Sequence, residues 1–333
     1  MREIGSEFWN RYETEKIEQK ENEAYLLSGR TALQFIIDDI SEKHRVKKAL
    51  LPDYCCESMI LPFIRSGISV DFYRVNSEGY DYPFQNDADI ILLVDFFGYE
   101  MHQNIEIAEK SKASGKVVIY DSTHTINGNY SVQQYANYSF CSYRKWFYCN
   151  FAKVIKHNGK FYAKALKNND SYTDLRDRAA EFKKMYILGL NDSKVFLGEF
   201  NAAEQLLESD FSDYAGMPVK FEIEEIRRKR RENAQFLMNS LKNNRAVKLW
   251  REELSANDIP LFVPILVDPN VRNELRKKLI NESIYCPIHW PKSHLCDSEN
   301  ELYEMEISLI CDQRYNASDM GRIISVINEF FDS

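Results

Sequence analysis

From residue 25 to residue 155 the chain alternates short apolar runs with amphipathic stretches. Apolar runs separated by segments of helical period are typical of βαβ units, in which helices cover both faces of a buried, mainly parallel sheet. The fold class that this pattern predicts is a three-layer α/β sandwich. Its predicted strands are 48–51, 70–73, 90–94, 117–120, 138–141 and 152–156.

A second region follows a polar stretch around residues 168–170. A long charged helix is predicted over 221–243, and the elements predicted after it are a strand at 259–267, a helix at 271–280, a strand at 306–310 and a helix at 317–331. At 333 residues the chain is long enough for one large and one smaller domain. We therefore expect a large domain over 1–215, which includes an N-terminal arm, and a small α+β domain over 216–333.

The composition narrows the partners that we expect. A formal net charge of -8 gives no general attraction to nucleic acid or to an anionic membrane, which favours small-molecule partners. The N-terminal residues lack the apolar core of a signal peptide, and no later run is long and apolar enough to span a bilayer. We expect a cytoplasmic protein whose seven cysteines are reduced.

An acidic residue and a histidine follow one of the predicted strands. Asp121 comes directly after 117–120, and His124 lies in the same short loop. Open α/β sheets bind their ligands at the carboxyl ends of the strands, so a buried carboxylate at this point is a candidate binding group. The alternative is an aspartate that only caps a turn.

A lysine follows the next predicted strand. Lys145 lies in the segment SYRKW, within one further sheet crossing of Asp121. A neighbouring cation and aromatic walls disfavour the ammonium form, and the resulting neutral amine is nucleophilic. An ordinary surface lysine is the alternative.

Gly29, Arg30 and Thr31 open a helix near the N-terminus. Backbone N–H groups at a helix start, together with a hydroxyl and a guanidinium, can bind a phosphate dianion. The alternative is a plain helix start. A phosphate site, an acid and a lysine at one sheet edge are what pyridoxal phosphate requires of a protein.

The sequence resembles the fold-type I pyridoxal-phosphate enzymes, and among them the DegT-like family of sugar-nucleotide aminotransferases. The resemblance rests on segment 51–75 and on SGRTAL (28–33), LLVDFFGY (92–99), VVIYDSTH (117–124), SFCSYRK (139–145), IYCPIHWP (284–291) and SLICDQRY (308–315). It departs from the family in WFYCNFAKV (146–154), which replaces a glycine-rich segment. Segment 185–205 also lacks the family's Asn-Tyr-Arg-type element, which reaches into the neighbouring subunit.

The resemblance implies a role for each matching residue. Lys145 would be the Schiff-base lysine and Asp121 the partner of the pyridinium nitrogen. The remaining assignments are His124 as a ring contact, Ser142 with Gly29, Arg30 and Thr31 as phosphate ligands, one of Tyr54, Cys55 and Cys56 as the residue stacked on the ring, and His289 and Trp290 as substrate contacts.

The resemblance also implies a reaction and an assembly. We expect a homodimeric aminotransferase that moves an amino group from an amino-acid donor to a keto acceptor, such as a keto-sugar nucleotide. A pyridoxal-phosphate lyase or dehydratase, and a silent binding protein of the same fold, are the alternatives. No metal is expected, because the spacing of Cys286, His289, His294 and Cys296 is not an established zinc pattern.

Overall fold

The computed structural model describes residues 3–10, 15–126, 128–164, 170–209, 219–220 and 222–332. The strands are β1 Ile4–Gly5, β2 Glu15–Lys16, β3 Glu23–Leu26, β4 Lys48–Pro52, β5 Ser69–Val75, β6 Tyr80–Asp81, β7 Ile90–Val94, β8 Val117–Asp121, β9 Tyr138–Ser142, β10 Ala152–Lys156, β11 Val219–Lys220, β12 Lys248–Leu249, β13 Phe262–Leu266, β14 Ile284–Tyr285 and β15 Glu306–Ile310. The helices are α1 Gly29–Ser41, α2 Glu57–Arg65, α3 Gln103–Ala113, α4 Tyr130–Gln133, α5 Asp170–Ile187, α6 Phe196–Ser209, α7 Glu224–Leu241, α8 Pro269–Asn281, α9 Leu302–Met305 and α10 Ala317–Asp332, and a short 3₁₀ turn spans Tyr143–Lys145.

The central sheet has the strand order β3-β10-β9-β8-β7-β4-β5-β6. Its middle strands β9, β8, β7, β4 and β5 run parallel, and all five residues of β7 and of β9 are buried. Strands buried on both faces in this way occur where helices cover both faces of the sheet. The three-layer α/β class and all six predicted strands are confirmed.

The sequence did not predict the antiparallel direction of β10 or the presence of β3. β10 runs antiparallel to β9, and β3 adds a further antiparallel strand beyond it. The segment Glu23–Leu26 contains a charged residue, which obscures the apolar run in the sequence. All four of its residues are nevertheless buried, and Lys153 pairs with the Glu23 carboxylate at 2.9 Å.

The parallel strands bring the predicted site residues to one edge. Asp121 is the last residue of β8 and lies opposite Phe140 of β9, and Ser142 ends β9 two residues later. The 3₁₀ turn then places Lys145 at the same edge. Because parallel strands end on the same side of a sheet, the order of the chain determines this proximity.

Helix α1 begins beside the end of β9. Ser28 and Thr31 form a reciprocal capping box that satisfies two backbone N–H groups at the start of the helix. A Cβ added at Gly29 would lie 3.4 Å from Cβ of Ser142. A small residue therefore lets the start of the helix approach the strand end closely.

The C-terminal region has its own sheet and core. β12, β13 and β15 form an antiparallel sheet packed with α7, α8 and α10. The elements predicted at 221–243, 259–267, 271–280, 306–310 and 317–331 all exist, with ends that differ by a few residues. The predicted domain boundary near 215 lies outside the described residues, and the division into two domains stays a prediction.

The N-terminal arm packs with this C-terminal region. β1 pairs in parallel with β14, and Ile4 belongs to the same hydrophobic core as α8 and β15. Residues from the two ends of the sequence therefore meet on the side of the molecule that faces Lys145.

Candidate active site

A cavity of about 100 Å³ lies at the carboxyl edge of the central sheet. We call it the small cavity, and its lining residues are Ser28, Gly29, Arg30, Leu33, Cys56, Ser58, Met59, Val94, Asp121, Thr123, His124, Phe140, Ser142, Arg144, Lys145 and Trp290. Seven of the ten residues predicted to bind the cofactor are in this set. Thr31, Tyr54 and Cys55 do not line it.

Asp121 provides a buried carboxylate in the small cavity. Its Oδ1 accepts a hydrogen bond from the backbone N–H of Thr123 at 2.8 Å. Burial raises the pKa of Asp121 to about 6, and hydrogen bonds from the backbone and the side chain of Thr123 oppose this rise. The carboxylate is ionised at neutral pH and lines the cavity, where it can accept a hydrogen bond from a ligand N–H.

Ser142 provides a hydroxyl group, which can donate a hydrogen bond to a ligand, whereas the Asp121 carboxylate can only accept one. Its hydroxyl oxygen is buried and has no hydrogen-bond partner among the residues that the structure describes. Buried polar atoms without partners are rare, and they often mark a ligand position. The start of α1 lies beside it, where Gly29 brings the backbone close, so the two together can bind an anion.

Thr31 has a different task from the predicted one. Its hydroxyl donates to the carbonyl oxygen of Ser28 at 2.9 Å and accepts from the Ser28 N–H at 2.8 Å. These contacts close the capping box and occupy the hydroxyl. The side chain of Thr31 therefore orders the helix start, whereas Gly29 and Arg30 line the cavity.

Thr123 joins the two strand ends, and sequence reasoning missed it. Its hydroxyl accepts from the N–H of Ser142 at 3.2 Å, and its carbonyl accepts from the indole N–H of Trp146 at 2.7 Å. These contacts fix the spacing between Asp121 and Ser142. The signal for Thr123 in the sequence is the turn-forming Asp-Ser-Thr triplet.

His124 and Trp290 form one wall of the small cavity. Their rings are stacked, with centroids 5.7 Å apart and planes at 24°. The Nδ1 atom of His124 accepts the backbone N–H of Phe97 at 3.1 Å. Burial, with a contribution from the Lys145 charge, lowers the pKa of His124 to about 3, so its ring is neutral.

Only one of the three candidates for the stacking position reaches the cavity. Cys56 lines it, whereas Tyr54 is buried in an aromatic cluster against Trp290 and Phe96. Cys55 is buried as well, and its backbone N–H donates to the Tyr303 hydroxyl at 3.1 Å. The geometry therefore favours Cys56 as the residue of this segment that contacts a ligand.

Lys145 is exposed to the cavities although it lies deep in the fold. Burial and the charge of Arg144 lower the pKa of its amine, and Glu7 and Glu204 partly offset the decrease. A lowered pKa increases the fraction of neutral, nucleophilic amine.

A network of charges surrounds Arg144. Its guanidinium donates to both carboxylate oxygens of Glu204, at 2.5 and 3.3 Å, and to the hydroxyl of Tyr172 at 3.1 Å. Burial acts to raise the pKa of Glu204, but the charges of Arg144 and Arg176 lower it to about 2. The carboxylate therefore stays ionised and holds Arg144 beside Lys145.

A second cavity, of about 380 Å³, lies on the other side of Lys145. We call it the large cavity, and its lining residues are Glu3, Ser6, Glu7, Phe8, Arg144, Lys145, Lys194, Phe196, Leu197, Arg230, Leu261, Phe262, Arg276, Ile280, Tyr285, Cys286, Pro287, His289, Ile310, Asp312 and Arg314. Arg144 and Lys145 line both cavities. Of the two predicted substrate contacts, His289 lines the large cavity and Trp290 the small one.

The N-terminal arm, residues 3–10, forms part of the large cavity. Arg314 donates to the carbonyl oxygens of Ser6 and Glu7 at 3.1 and 3.3 Å, and it lies over the Phe8 ring at 4.0 Å. Lys183 donates to the Glu7 carbonyl at 2.7 Å. No motif in the sequence indicates that the arm contributes to this cavity.

The described part of the chain contains no group of three or more His, Cys, Asp or Glu residues placed to hold a metal ion. Of the four residues weighed as a zinc site, Cys296 bonds the Asp53 carbonyl, and His294 lies 3.3 Å from Glu57. Among the same described residues, no helix is both long and apolar enough to cross a bilayer.

Solved structures share this fold. An aminotransferase of Helicobacter pylori, PseC, which is involved in the biosynthesis of pseudoaminic acid, is 14% identical with a TM-score of 0.67, covering 93% of this chain and 86% of its own. A DegT DnrJ EryC1 StrS aminotransferase from Brucella abortus is also 14% identical, with a TM-score of 0.60 and coverage of 92% and 85%. NtdA of Bacillus subtilis, solved with the cofactor PMP bound, is 14% identical with a TM-score of 0.60 and coverage of 91% and 73%.

These similarities show the fold of the chain. No protein-family model matches the sequence, and no curated protein matches it. The chain thus has the fold of the DegT-like aminotransferases over more than nine tenths of its length. At 14% identity, the similarity shows the fold and leaves the reaction open.

Proposed function

We propose that this chain is a pyridoxal-phosphate-dependent aminotransferase that moves an amino group from an amino-acid donor to a keto acceptor. The observation that carries the proposal is the position of Lys145, whose amine is shared by a small cavity suited to the cofactor and a large cavity suited to a substrate. The cofactor, when bound, supplies an aldehyde carbon that takes up the amino group and a ring that accepts electrons from the substrate carbon.

The small cavity fits pyridoxal phosphate at both ends of the molecule. Ser142 and the start of α1 would hold the phosphate, because they combine an unpartnered buried hydroxyl with a helix N-terminus. Asp121 would hold the ring nitrogen through its buried carboxylate, which lines the cavity. An ionised carboxylate there keeps a proton on the nitrogen, which favours electron flow into the ring.

Lys145 has two tasks in this proposal. Its amine would hold the cofactor, because burial and the charge of Arg144 lower its pKa and so increase the neutral, nucleophilic fraction. Once released, the amine takes a proton from the substrate carbon and returns it, which is general base and acid catalysis by one group. His124 and Trp290 form the wall beside it and exclude water from the reacting atoms.

The keto acceptor that we propose is a keto-sugar nucleotide, on the ground of the sequence resemblance. The large cavity supports an anionic substrate, because Arg276 lines it with a guanidinium whose Nε donates to the Cys286 carbonyl at 3.3 Å. Its terminal nitrogens have no partner among the described residues.

The proposed assembly is a homodimer. Exposed apolar side chains cluster where α5 ends and α6 begins, with Leu188 61% and Leu190 70% exposed. Leu197, 48% exposed, belongs to the same region and also lines the large cavity. Apolar side chains in such a position favour an interface with a second copy, which the mass in solution would test. The cytoplasmic location stays a prediction.

The first test is the absorbance spectrum of the wild type and of Lys145→Ala with pyridoxal phosphate, followed by borohydride reduction and peptide mapping. We expect a reduced cofactor covalently attached to Lys145, and no attachment in the variant. Lys183 is the control, because it is a second buried lysine whose pKa is lowered to about 8 by burial and by the charge of Arg314. Attachment at Lys183, or at no lysine, would refute the proposal.

A second measurement distinguishes the reaction types. Amino donors are supplied together with 2-oxoglutarate, and glutamate formation is followed. Transfer to 2-oxoglutarate supports the aminotransferase, whereas release of ammonia or carbon dioxide without transfer would identify a lyase. Covalent attachment without turnover of any donor would identify a silent protein of the same fold.

A further inference from the structure

Three side chains near the large cavity form a hydrogen-bonded chain that the proposed reaction does not use. The Nδ1 atom of His289 lies 2.8 Å from the hydroxyl of Ser308, which donates to Oε1 of Glu306 at 2.5 Å. The other carboxylate oxygen, Oε2, accepts the backbone N–H of His289 at 2.7 Å. All three residues are at least nine tenths buried.

The chain ends at an atom that has no partner. His289 lines the large cavity together with Lys145, and its Nε2 atom has no hydrogen-bond partner among the residues that the structure describes. Rings hold the imidazole on several sides, with the Phe262, Trp290 and Phe97 centroids at 4.9, 5.2 and 5.6 Å. The ring is therefore fixed in place by packing and by Ser308, and Nε2 is its available polar atom.

We propose that His289, Ser308 and Glu306 form a proton relay that takes a proton from a substrate in the large cavity, stores it on Glu306 and returns it. His289 is the catalytic residue of the relay, because it contacts the substrate. Ser308 and Glu306 are positioning residues that set which nitrogen of His289 carries the hydrogen. The inference rests on the proposed function for the identity of the substrate. The relay itself consists of protein side chains, so its titration does not depend on a bound cofactor or substrate.

The hydrogen bonds allow two states that differ by one proton. When Glu306 is ionised, Ser308 donates to it and accepts from Nδ1–H, so that Nε2 presents a lone pair to the cavity. When a proton arrives at Nε2, the Nδ1 hydrogen passes to Ser308 and the Ser308 hydrogen passes to Glu306. Glu306 is then neutral, Ser308 donates to Nδ1, and Nε2–H is a donor. His289 and Ser308 each gain and lose one proton, Glu306 gains one, and no charged imidazolium has to persist in the buried site.

The burial of Glu306 is consistent with proton storage on its carboxyl group. Burial raises the pKa of Glu306 to about 8, although Ser308, the His289 backbone and the charge of Arg272 lower it. Burial and the charges of His124 and Lys145 lower the pKa of His289 well below its usual range. The carboxyl is therefore the group of the relay that holds an extra proton most easily near neutral pH.

The relay supplies proton transfers that Lys145 does not. An amino donor has to lose its ammonium proton before it can attack, and the oxygen of a keto acceptor has to gain protons before it leaves as water. The Nε2 atom of His289 can take the first proton and give it to that oxygen. Lys145 remains the group that moves the proton at the substrate carbon.

The test is imidazole ¹⁵N NMR of the cofactor-free protein, so its result does not depend on turnover. The His289 signals are identified by their loss in His289→Gln. Over about two pH units on either side of the Glu306 pKa of about 8, we expect wild-type His289 to change from the Nε2–H form at low pH to the Nδ1–H form at high pH. A single form over the whole range would overturn the relay.

Two variants interrupt the relay in different ways. In Glu306→Gln one oxygen still accepts the His289 N–H, so the amide NH₂ has to face Ser308, and the Ser308 hydroxyl has to donate to Nδ1. We expect His289 to stay in the Nε2–H form at every pH. In Ser308→Ala the tautomer should no longer follow Glu306, and a wild-type titration in either variant would contradict the proposal.

Ser139→Ala is the matched control. Ser139 is a buried strand serine whose hydroxyl lies 2.9 Å from Nε2 of a different histidine, His157. We expect this variant to leave the His289 signals and kcat unchanged. With substrate, Glu306→Gln and Ser308→Ala should each lower kcat by roughly 10²-fold and change KM little. If the NMR titration appears but no aminotransferase activity is found, the relay stands and the proposed function fails.

Discussion

The small and large cavities share Lys145 but are built in different ways. The small cavity is formed mainly by segments that follow β8, β9 and the start of α1, all at one edge of one sheet. The large cavity is formed by the N-terminal arm, the start of α6, helix α7 and the C-terminal sheet. Backbone topology fixes the first cavity, whereas side chains that are distant in sequence fix the second.

This difference assigns most of the catalytic groups to the small cavity and most of the groups that select a substrate to the large cavity. The polar groups of the small cavity each have one identifiable task, because Asp121 provides a buried carboxylate and Ser142 provides an unpartnered hydroxyl. Several charged groups of the large cavity already have partners in the protein, as Arg314 pairs with Asp312 at 2.8 Å and Arg144 pairs with Glu204. We therefore expect changes in the small cavity and in the His289 relay to affect kcat, and changes at the other residues of the large cavity to affect KM and folding.

The largest expected effect is that of Asp121→Asn. The amide keeps the shape of the side chain but removes the charge that holds a proton on the ring nitrogen, so kcat should fall by about 10²- to 10³-fold. Cofactor affinity should change much less, since Ser142 and the helix start remain. Steady-state kinetics and a cofactor titration check this, and an equal loss of affinity and rate would show that Asp121 serves binding alone.

The pH dependence of the same variant sharpens the comparison. The pKa of Asp121 is raised to about 6 by burial, so the wild-type carboxylate becomes protonated as the pH falls through this value. In wild type we expect kcat to decrease below about pH 6, and in Asp121→Asn we expect this decrease to be absent. A decrease that persists in the variant would assign the titration to another group.

Two arginines of α7 test how much a buried residue of the large cavity contributes to the stability of the fold. Arg230 is buried over the Trp146 ring at 4.5 Å and donates to Leu261, Pro260 and Gln313 at 2.8 to 3.2 Å. Arg228, half a turn away, pairs with the exposed carboxylates of Glu225 and Glu232 on its own helix. Arg230→Gln should lower the free energy of unfolding by about 2–3 kcal/mol, because it removes several hydrogen bonds from a buried cation.

Arg228→Gln is the matched control for this change. Exposed ion pairs contribute little to stability, so its thermal midpoint should equal that of the wild type within error. In the sequence, the basic run 227–231 is flanked by glutamates on one helix, a pattern that predicts a solvated, salt-bridged face. That prediction is wrong for Arg230, because α7 turns its side chain toward the large cavity. Equal destabilisation by both variants would mean that the buried contacts of Arg230 carry little energy.

A change at Arg314 tests the contribution of the N-terminal arm. Arg314→Gln removes hydrogen bonds to the Ser6 and Glu7 carbonyls and the contact with Phe8. We expect faster amide exchange over residues 3–10, with KM raised about tenfold and kcat changed less, because charged hydrogen bonds of this kind each contribute about 1.5–3 kcal/mol. Unchanged exchange in the arm would show that β1 and β14 hold it without Arg314.

The same contrast explains what the sequence could predict. The β8 and β9 strands, and the closeness of Asp121, Ser142 and Lys145, follow from local apolar runs and from the rule that parallel strands end at one edge. The start of α1 was predictable because a small residue and a hydroxyl mark it. These signals lie within a few residues of the groups that they position.

The residues that the sequence could not indicate act over long distances in the chain. Glu204 holds Arg144 across 60 positions, and Glu306 is joined to His289 across 17. Charged residues in helices and strands usually lie on solvated faces, so nothing local distinguishes these two. Tyr54 and Cys55 could not be separated from Cys56 either, since only packing decides which of three adjacent side chains faces a cavity.

The smallest expected effect concerns the pKa of Lys145, whose amine the two cavities share. Two variants should shift this pKa in opposite directions. The charge of Arg144 lowers the pKa of Lys145, and the charge of Glu204 raises it. Arg144→Gln should therefore raise this pKa, and Glu204→Gln should lower it further. At a pH below the pKa, an amine-reactive reagent should modify Lys145 of the cofactor-free protein more slowly in Arg144→Gln and faster in Glu204→Gln than in wild type. If both variants changed the modification rate in the same direction, loss of packing rather than charge would govern the pKa of Lys145. The division of tasks between the two cavities would then not hold for the residue that they share.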